Sequence, residues 1–127
     1  MPILAHGIDI ITTSRVADLL ERHPERALER LLTPAEQAYC QAKADPVPHI
    51  AARFAAKESV AKALGTGLRG FRWTDIEIIS SPLGQPEVRL HQGAAQAAAR
   101  RGIQHILISL SHCREYAVAS AIAIGGE

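Results

Sequence analysis

Glu58 and Lys62 stand one helical turn apart, with Phe54 a turn before them, so the three share one face of any helix that carries them. An acid and a base at that spacing can form a solvated ion pair worth about 0.3–0.5 kcal/mol, and such pairs are common on exposed helices. Neighbouring features point toward chemistry instead. Arg53, Lys57 and Lys62 place three cations on an alanine-rich segment, where small side chains leave room for a ligand or a second chain to come close. The segment ends in Gly65-Thr66-Gly67, whose backbone can lie against an anion or simply stop a helix. Asp9 sits in the run Ile8-Asp9-Ile10-Ile11, where a charge is costly unless it is paired or bound to metal. At a strand end it can also cap the helix that follows. Two carboxylates completed by phosphate oxygens and water make a usual Mg²⁺ set, so Asp9 and Glu58 suit one if the fold brings them together.

His112 closes the stretch Ser109-Leu110-Ser111-His112 and is followed by Cys113 and Arg114. A lone strand-end histidine is usually structural; in this polar cluster it can also contact a phosphate. Cys113 has only His112 as a neighbouring base, thin support for a cysteine nucleophile.

Several elements must position these residues. Ile3 to Ile11 is short, apolar and β-branched, which predicts a buried strand. Thr12, Thr13 and Ser14 can each cap the next helix, whose Val16, Leu19 and Leu20 make one apolar face beside Arg15 and Arg22. His23-Pro24 breaks that helix, and a second short one runs from about Glu25 to Leu32. Thr33-Pro34-Ala35-Glu36 is a capping box with proline in the first turn. Asp45-Pro46-Val47-Pro48 reads as a loop, and a long helix follows from His49 to Leu64. Trp73 to Ile79 reads as a strand that turns through Ser81–Pro86 and returns along Glu87 to Leu90. A short helix, Ala94 to Arg100, precedes two strands, Ile103 to Leu110 and Tyr116 to Ile124, joined near Arg114-Glu115. This order predicts an α+β domain: a mainly antiparallel sheet, a long central helix and shorter helices packed on one face.

The bulk numbers limit the alternatives. A chain of 127 residues fits one domain over 1–127, and 47% hydrophobic with 21% charged residues is ordinary globular composition. A formal net charge of +1 argues against whole-surface attraction to nucleic acid or membrane, while leaving room for a local phosphate pocket. Two cysteines make no disulfide framework, so a reduced, cytoplasmic setting is expected. The N-terminus lacks a basic leader region, Asp9 interrupts its apolar run, and no stretch approaches the ~20 apolar residues of a membrane span.

Three blocks together resemble one family. They are Gly7-Ile8-Asp9-Ile10, the segment from Arg53-Phe54-Ala55-Ala56-Lys57-Glu58-Ser59 through Lys62 to Gly65-Thr66-Gly67, and Ser109-Leu110-Ser111-His112 with Tyr116-Ala117-Val118-Ala119. The chain is similar, nearly end to end, to the holo-[acyl-carrier-protein] synthases, the short bacterial class of 4′-phosphopantetheinyl transferases. The resemblance implies that fold and a reaction in fatty-acid biosynthesis: the phosphopantetheine arm of coenzyme A passes to a serine of an apo acyl carrier protein, releasing adenosine 3′,5′-bisphosphate. It implies Mg²⁺ held by Asp9 and Glu58, with Glu58 also helping to deprotonate the serine and Lys62 beside the transferred phosphate. It further implies coenzyme A contacts from Arg53, Lys57, Lys62, Gly65 and His112, a carrier contact from Arg15, and a homotrimer with active sites between neighbours. Thr12, Thr13 and Cys113 depart from the usual residues at their positions. Two other classes stand beside the transferase: a non-catalytic module of the same fold that binds carrier or nucleotide, and a structural oligomer with the long helix as its interface.

Overall fold

A segment rich in β-branched residues (Ile3, Ile8, Ile10, Ile11 and Thr12) gives the first strand, β1 (Ile3–Thr12), in a computed structural model that describes residues 1–67, 69–81 and 83–126. Five helices follow in order with the remaining strands: α1 (Thr13–Arg22), α2 (Pro24–Leu31), α3 (Pro34–Gln41), α4 (Pro46–Leu64), β2 (Ile76–Ser80), β3 (Pro86–Leu90), α5 (Gln92–Arg100), β4 (Ile103–His112) and β5 (Tyr116–Gly125). All strand pairings are antiparallel. They form a three-stranded sheet in the order β1-β5-β4 and a separate two-stranded sheet of β2 and β3.

The three-stranded sheet cradles α4, and the reason lies in side-chain size. Its inner face carries Ala117, Ala119, Ala121 and Ala123 from β5, all at most 2% exposed, flanked by Gly7 and Ile11 of β1. Ala51, Ala52, Ala55, Ala56 and Ala63 meet them from α4. At Gly7 the approach is so close that a Cβ would overlap the Ser59 carbonyl oxygen. The outer face of the same sheet leaves Ile8, Ile10 and Leu107 exposed.

The structure departs from the sequence expectations in four places. The strand expected to be buried, β1, is covered on its inner face only, with Ile8 and Ile10 57% and 64% exposed on the outer one. Helix α4 starts at Pro46 rather than His49, with Asp45 in the N-cap position. Prolines are tolerated in a first turn because those N–H groups have no helical partner. The predicted strand from Trp73 begins instead with a 3₁₀ turn, Trp73–Asp75. Thr12 occupies the N-cap of α1 without a side-chain bond, and the Thr13 hydroxyl donates to the Arg114 carbonyl at 2.6 Å, tying α1 to the β4–β5 turn. The Thr33–Glu36 capping box forms as expected. Pro82 of the expected hairpin turn lies outside the described residues.

Candidate active site

Helix α4 is wrapped on nearly every side. From Ile50 to Leu64, Glu58 and Lys62 alone escape full burial, so their shared face is the most exposed part of that stretch. β1 supplies the third member. Alternation along the strand puts Asp9 on the same inner face as Gly7 and Ile11, and the close approach at Gly7 carries it to α4. The Lys62 ammonium donates to Asp9 Oδ1 at 3.1 Å and to the Ile8 carbonyl at 2.9 Å. The Glu58 carboxyl is pushed above its ordinary pKa by burial and then by the Asp9 charge, against the pull of Arg15 and Lys62. Asp9, Glu58 and Lys62 therefore share one electrostatic site.

Arg15 adjoins it. Its guanidinium lies 5.5 Å from the centre of the Phe54 ring, which is packed edge-on against Trp73. From there a groove of about 630 Å³ runs along α1 and α2, lined by Arg15, Arg22, Arg26 and Arg30 with Asp18 and His23. The sequence reading singled out Arg15 alone. Arg22, Arg26 and Arg30 recur every four residues, a legible signal obscured by the Pro24 break between the two helices.

Arg53 opens elsewhere. It is 3% exposed, stacks 3.9 Å from the centre of the Tyr39 ring and donates from Nη2 to Ser80 Oγ at 2.8 Å. Its buried Nε finds no hydrogen-bond partner among the described residues. Arg53 and His112 line a second cavity of about 390 Å³, with Tyr39, His49 and Ser80. The His49 and His112 rings meet edge-to-face at 4.8 Å. Burial, then the His112, Lys43 and Arg53 charges, lower the His49 pKa. Ser80 hydrogen bonding and the Arg53 and Lys43 charges lower that of Tyr39 against the opposing effect of burial. Sequence reasoning missed Tyr39, His49 and Ser80. The His49–Arg53 spacing of one turn could have marked His49; nothing local marks Tyr39 or Ser80.

Lys57 faces the core. It is fully buried, with its ammonium 2.7 Å from Glu36 Oε1 and donating to the Trp73 carbonyl at 3.1 Å. It lines neither the arginine groove nor the Arg53 cavity. Gly65 adopts the left-handed conformation, φ +80°, that ends α4. The Arg101 guanidinium packs against Gly65 and donates to the Leu64 carbonyl at 2.7 Å.

Comparisons with known proteins bear on the family of the chain. The family model for the 4′-phosphopantetheinyl transferase superfamily matches residues 5–121. The holo-[acyl-carrier-protein] synthase of Moorella thermoacetica is 52% identical over 94% of this chain and 93% of its own length. Among solved structures, the holo-[acyl-carrier-protein] synthase of Neisseria meningitidis superposes with a TM-score of 0.89 at 32% identity, covering 97% of this chain and 99% of that one. The Helicobacter pylori holo-[acyl-carrier-protein] synthase, solved in complex with coenzyme A, gives 0.83 at 32% identity over 94% and 99%. Sequence, fold and the full span of the match agree that this chain belongs to the holo-[acyl-carrier-protein] synthases of the 4′-phosphopantetheinyl transferase superfamily.

Proposed function

We propose that the chain is a cytoplasmic, Mg²⁺-dependent transferase that moves the 4′-phosphopantetheine arm of coenzyme A onto a serine of an apo acyl carrier protein for fatty-acid biosynthesis. The observation that carries the reading is the meeting of Asp9 with Glu58 and Lys62 on the exposed face of a mostly buried helix. Among the described residues no three or more His, Cys, Asp or Glu side chains gather as a metal cluster. A carboxylate pair with an oxygen-rich surround fits Mg²⁺, which draws its remaining ligands from phosphate and water. When bound there, Mg²⁺ supplies positive charge to the pyrophosphate of coenzyme A.

The chain's own groups do the rest. Glu58, beside the reacting phosphate, takes the serine proton as the serine oxygen bonds to phosphorus. The pyrophosphate P–O bond breaks, and adenosine 3′,5′-bisphosphate leaves with the electron pair. The Lys62 ammonium stabilises the charge that gathers on the leaving oxygen. Arg53, with an unpartnered buried N–H, and His112 supply donors for the nucleotide end.

The separation of Arg53 from the Asp9–Glu58–Lys62 edge suits a homotrimer. Arg53 precedes Glu58 by five residues, roughly 140° around α4, and the Arg53 cavity is lined by neither Asp9, Glu58 nor Lys62. One copy would offer its Asp9–Glu58–Lys62 edge to the Arg53 cavity of the next, a head-to-tail contact that closes as a ring. The apolar outer sheet face with Ile8, Ile10 and Leu107 is available for that packing. Light scattering should give three times the 13.7 kDa chain mass; a monomer at assay concentration would refute the trimer.

The arginine groove suits an acidic carrier. Reversing Arg22 and Arg26 to Glu should raise the KM for carrier about tenfold or more and flatten its salt dependence, with kcat little changed. An unchanged KM would remove the groove from the docking surface. The activity itself is tested by incubating the protein with coenzyme A, Mg²⁺ and an apo carrier and weighing the carrier. The phosphopantetheine mass should be gained, and its absence across several carriers would overturn the reading.

A further inference from the structure

Lys62 is placed where a catalytic lysine has no evident reason to rest. Its ammonium lies not on the open side of the helix but across on β1, held by a carboxylate oxygen of Asp9 and the carbonyl oxygen of Ile8. These are the hard oxygen donors that a divalent cation also takes. The side chain is 53% exposed, so the ammonium can leave into water without crossing packed structure. Asp9 is 19% exposed, and among the described residues the lysine is the partner of its Oδ1. Glu58, one turn back, is crowded by the same Asp9 charge.

We infer that Lys62 is a tethered cation that competes with the metal for Asp9 and gives Asp9 up when coenzyme A arrives, so that metal and coenzyme A bind cooperatively. This rests on the assignment of Asp9 and Glu58 as metal ligands. Without coenzyme A, a divalent cation must displace the ammonium from Asp9 and then endure its positive charge nearby, so metal alone binds weakly. The pyrophosphate offers the ammonium a new anionic partner and frees Asp9. The coupling is reciprocal: metal strengthens coenzyme A binding by the same factor. One side chain would thereby link an empty, charge-neutralised site to a loaded one with its cation turned onto the substrate.

The test is Mn²⁺ binding, followed by the electron paramagnetic resonance of the free ion, with and without coenzyme A and with no carrier present. Wild-type protein should bind Mn²⁺ weakly alone and about tenfold or more tightly with coenzyme A. Lys62→Met should bind Mn²⁺ about tenfold more tightly than wild type without coenzyme A and gain less than wild type when it is added, the remaining gain being what the phosphate oxygens supply as ligands. Arg15→Met is the control for through-space charge, since Arg15 also acts on the Glu58 carboxyl but has no contact with Asp9 among its described interactions. It should change Mn²⁺ affinity by no more than about twofold. Equal tightening by Arg15→Met and Lys62→Met would overturn the inference, as would a Lys62→Met affinity at or below wild type. Asp9→Asn separates the two levels. If it abolishes Mn²⁺ binding while Lys62→Met behaves as wild type, the metal site stands and the tethered-cation role falls. If Asp9→Asn binds as wild type does, the metal assignment falls and this inference with it.

Discussion

Glu58→Gln should lower the rate of phosphopantetheine transfer by about 10²–10⁴-fold, the usual range for removing a general base, and leave the fold as stable as before or more so. The two halves of that result have one cause. Burial and the neighbouring Asp9 raise the Glu58 pKa in the folded protein, so the folded state holds its proton more tightly than the unfolded chain does. Ionising Glu58 therefore costs folding stability. The cost is absent below the unfolded carboxyl value, develops as pH rises through the window between that value and the raised one, and is complete above it. Glutamine removes the charge with little change of shape. The stability difference between Glu58→Gln and wild type should accordingly grow in the mutant's favour as pH rises through that window, and melting curves over a pH series will show it. Asp9→Asn should depress transfer comparably with a different stability signature. Its carboxylate is satisfied by a half-exposed lysine, a pair worth at most about 1 kcal/mol. Near-normal transfer by either variant at limiting Mg²⁺ would remove that residue from the reaction.

How much of this site could be read in advance depended on whether its logic is local. Asp9 was legible because a charge inside an isoleucine run demands a partner, and the partner exists: Lys62, from a helix more than fifty residues on. The Thr33–Glu36 capping box was legible for the same reason, its two bonds spanning three residues. The Arg53 cavity was only half legible. His49 and Arg53 share a helix face, but Tyr39, Ser80 and His112 come from α3, β2 and β4 and meet only when the chain has folded. Gly7 could be read as a permissive small residue, not as the point where β1 touches the backbone of α4. The three cations of α4 mark where local reading stops. Arg53, Lys57 and Lys62 look alike as a basic cluster, yet one faces a cavity, one the core and one β1. Residue type gives the charge, while its use depends on what packs opposite.

Lys57→Met should destabilise the protein by about 3–5 kcal/mol, the usual cost of removing one partner from a buried ion pair. The loss arises at Glu36, not at the lysine. Glu36 is 1% exposed, and its carboxylate accepts from the Thr33 N–H at 2.8 Å, the Ile78 N–H at 2.9 Å and the Lys57 ammonium at 2.7 Å. It thereby joins the start of α3, strand β2 and helix α4, and the Lys57 bond to Trp73 adds the turn before β2. Burial lowers the Lys57 pKa, and the Glu36 charge opposes that fall, as expected for an ammonium held in the core by its partner. Methionine fills much of the lysine's volume but leaves Glu36 as an unpaired buried charge. Lys57→Met/Glu36→Gln should therefore recover a substantial part of the lost stability in denaturant titrations, although it removes both charges. The kinetic outcome distinguishes this role from a ligand contact. Whatever fraction of Lys57→Met remains folded should keep a near-normal KM for coenzyme A, because the ammonium faces Glu36 and Trp73 rather than a cavity. A variant of unchanged stability with a raised KM would return Lys57 to the substrate site and show that the buried pair opens in the working enzyme.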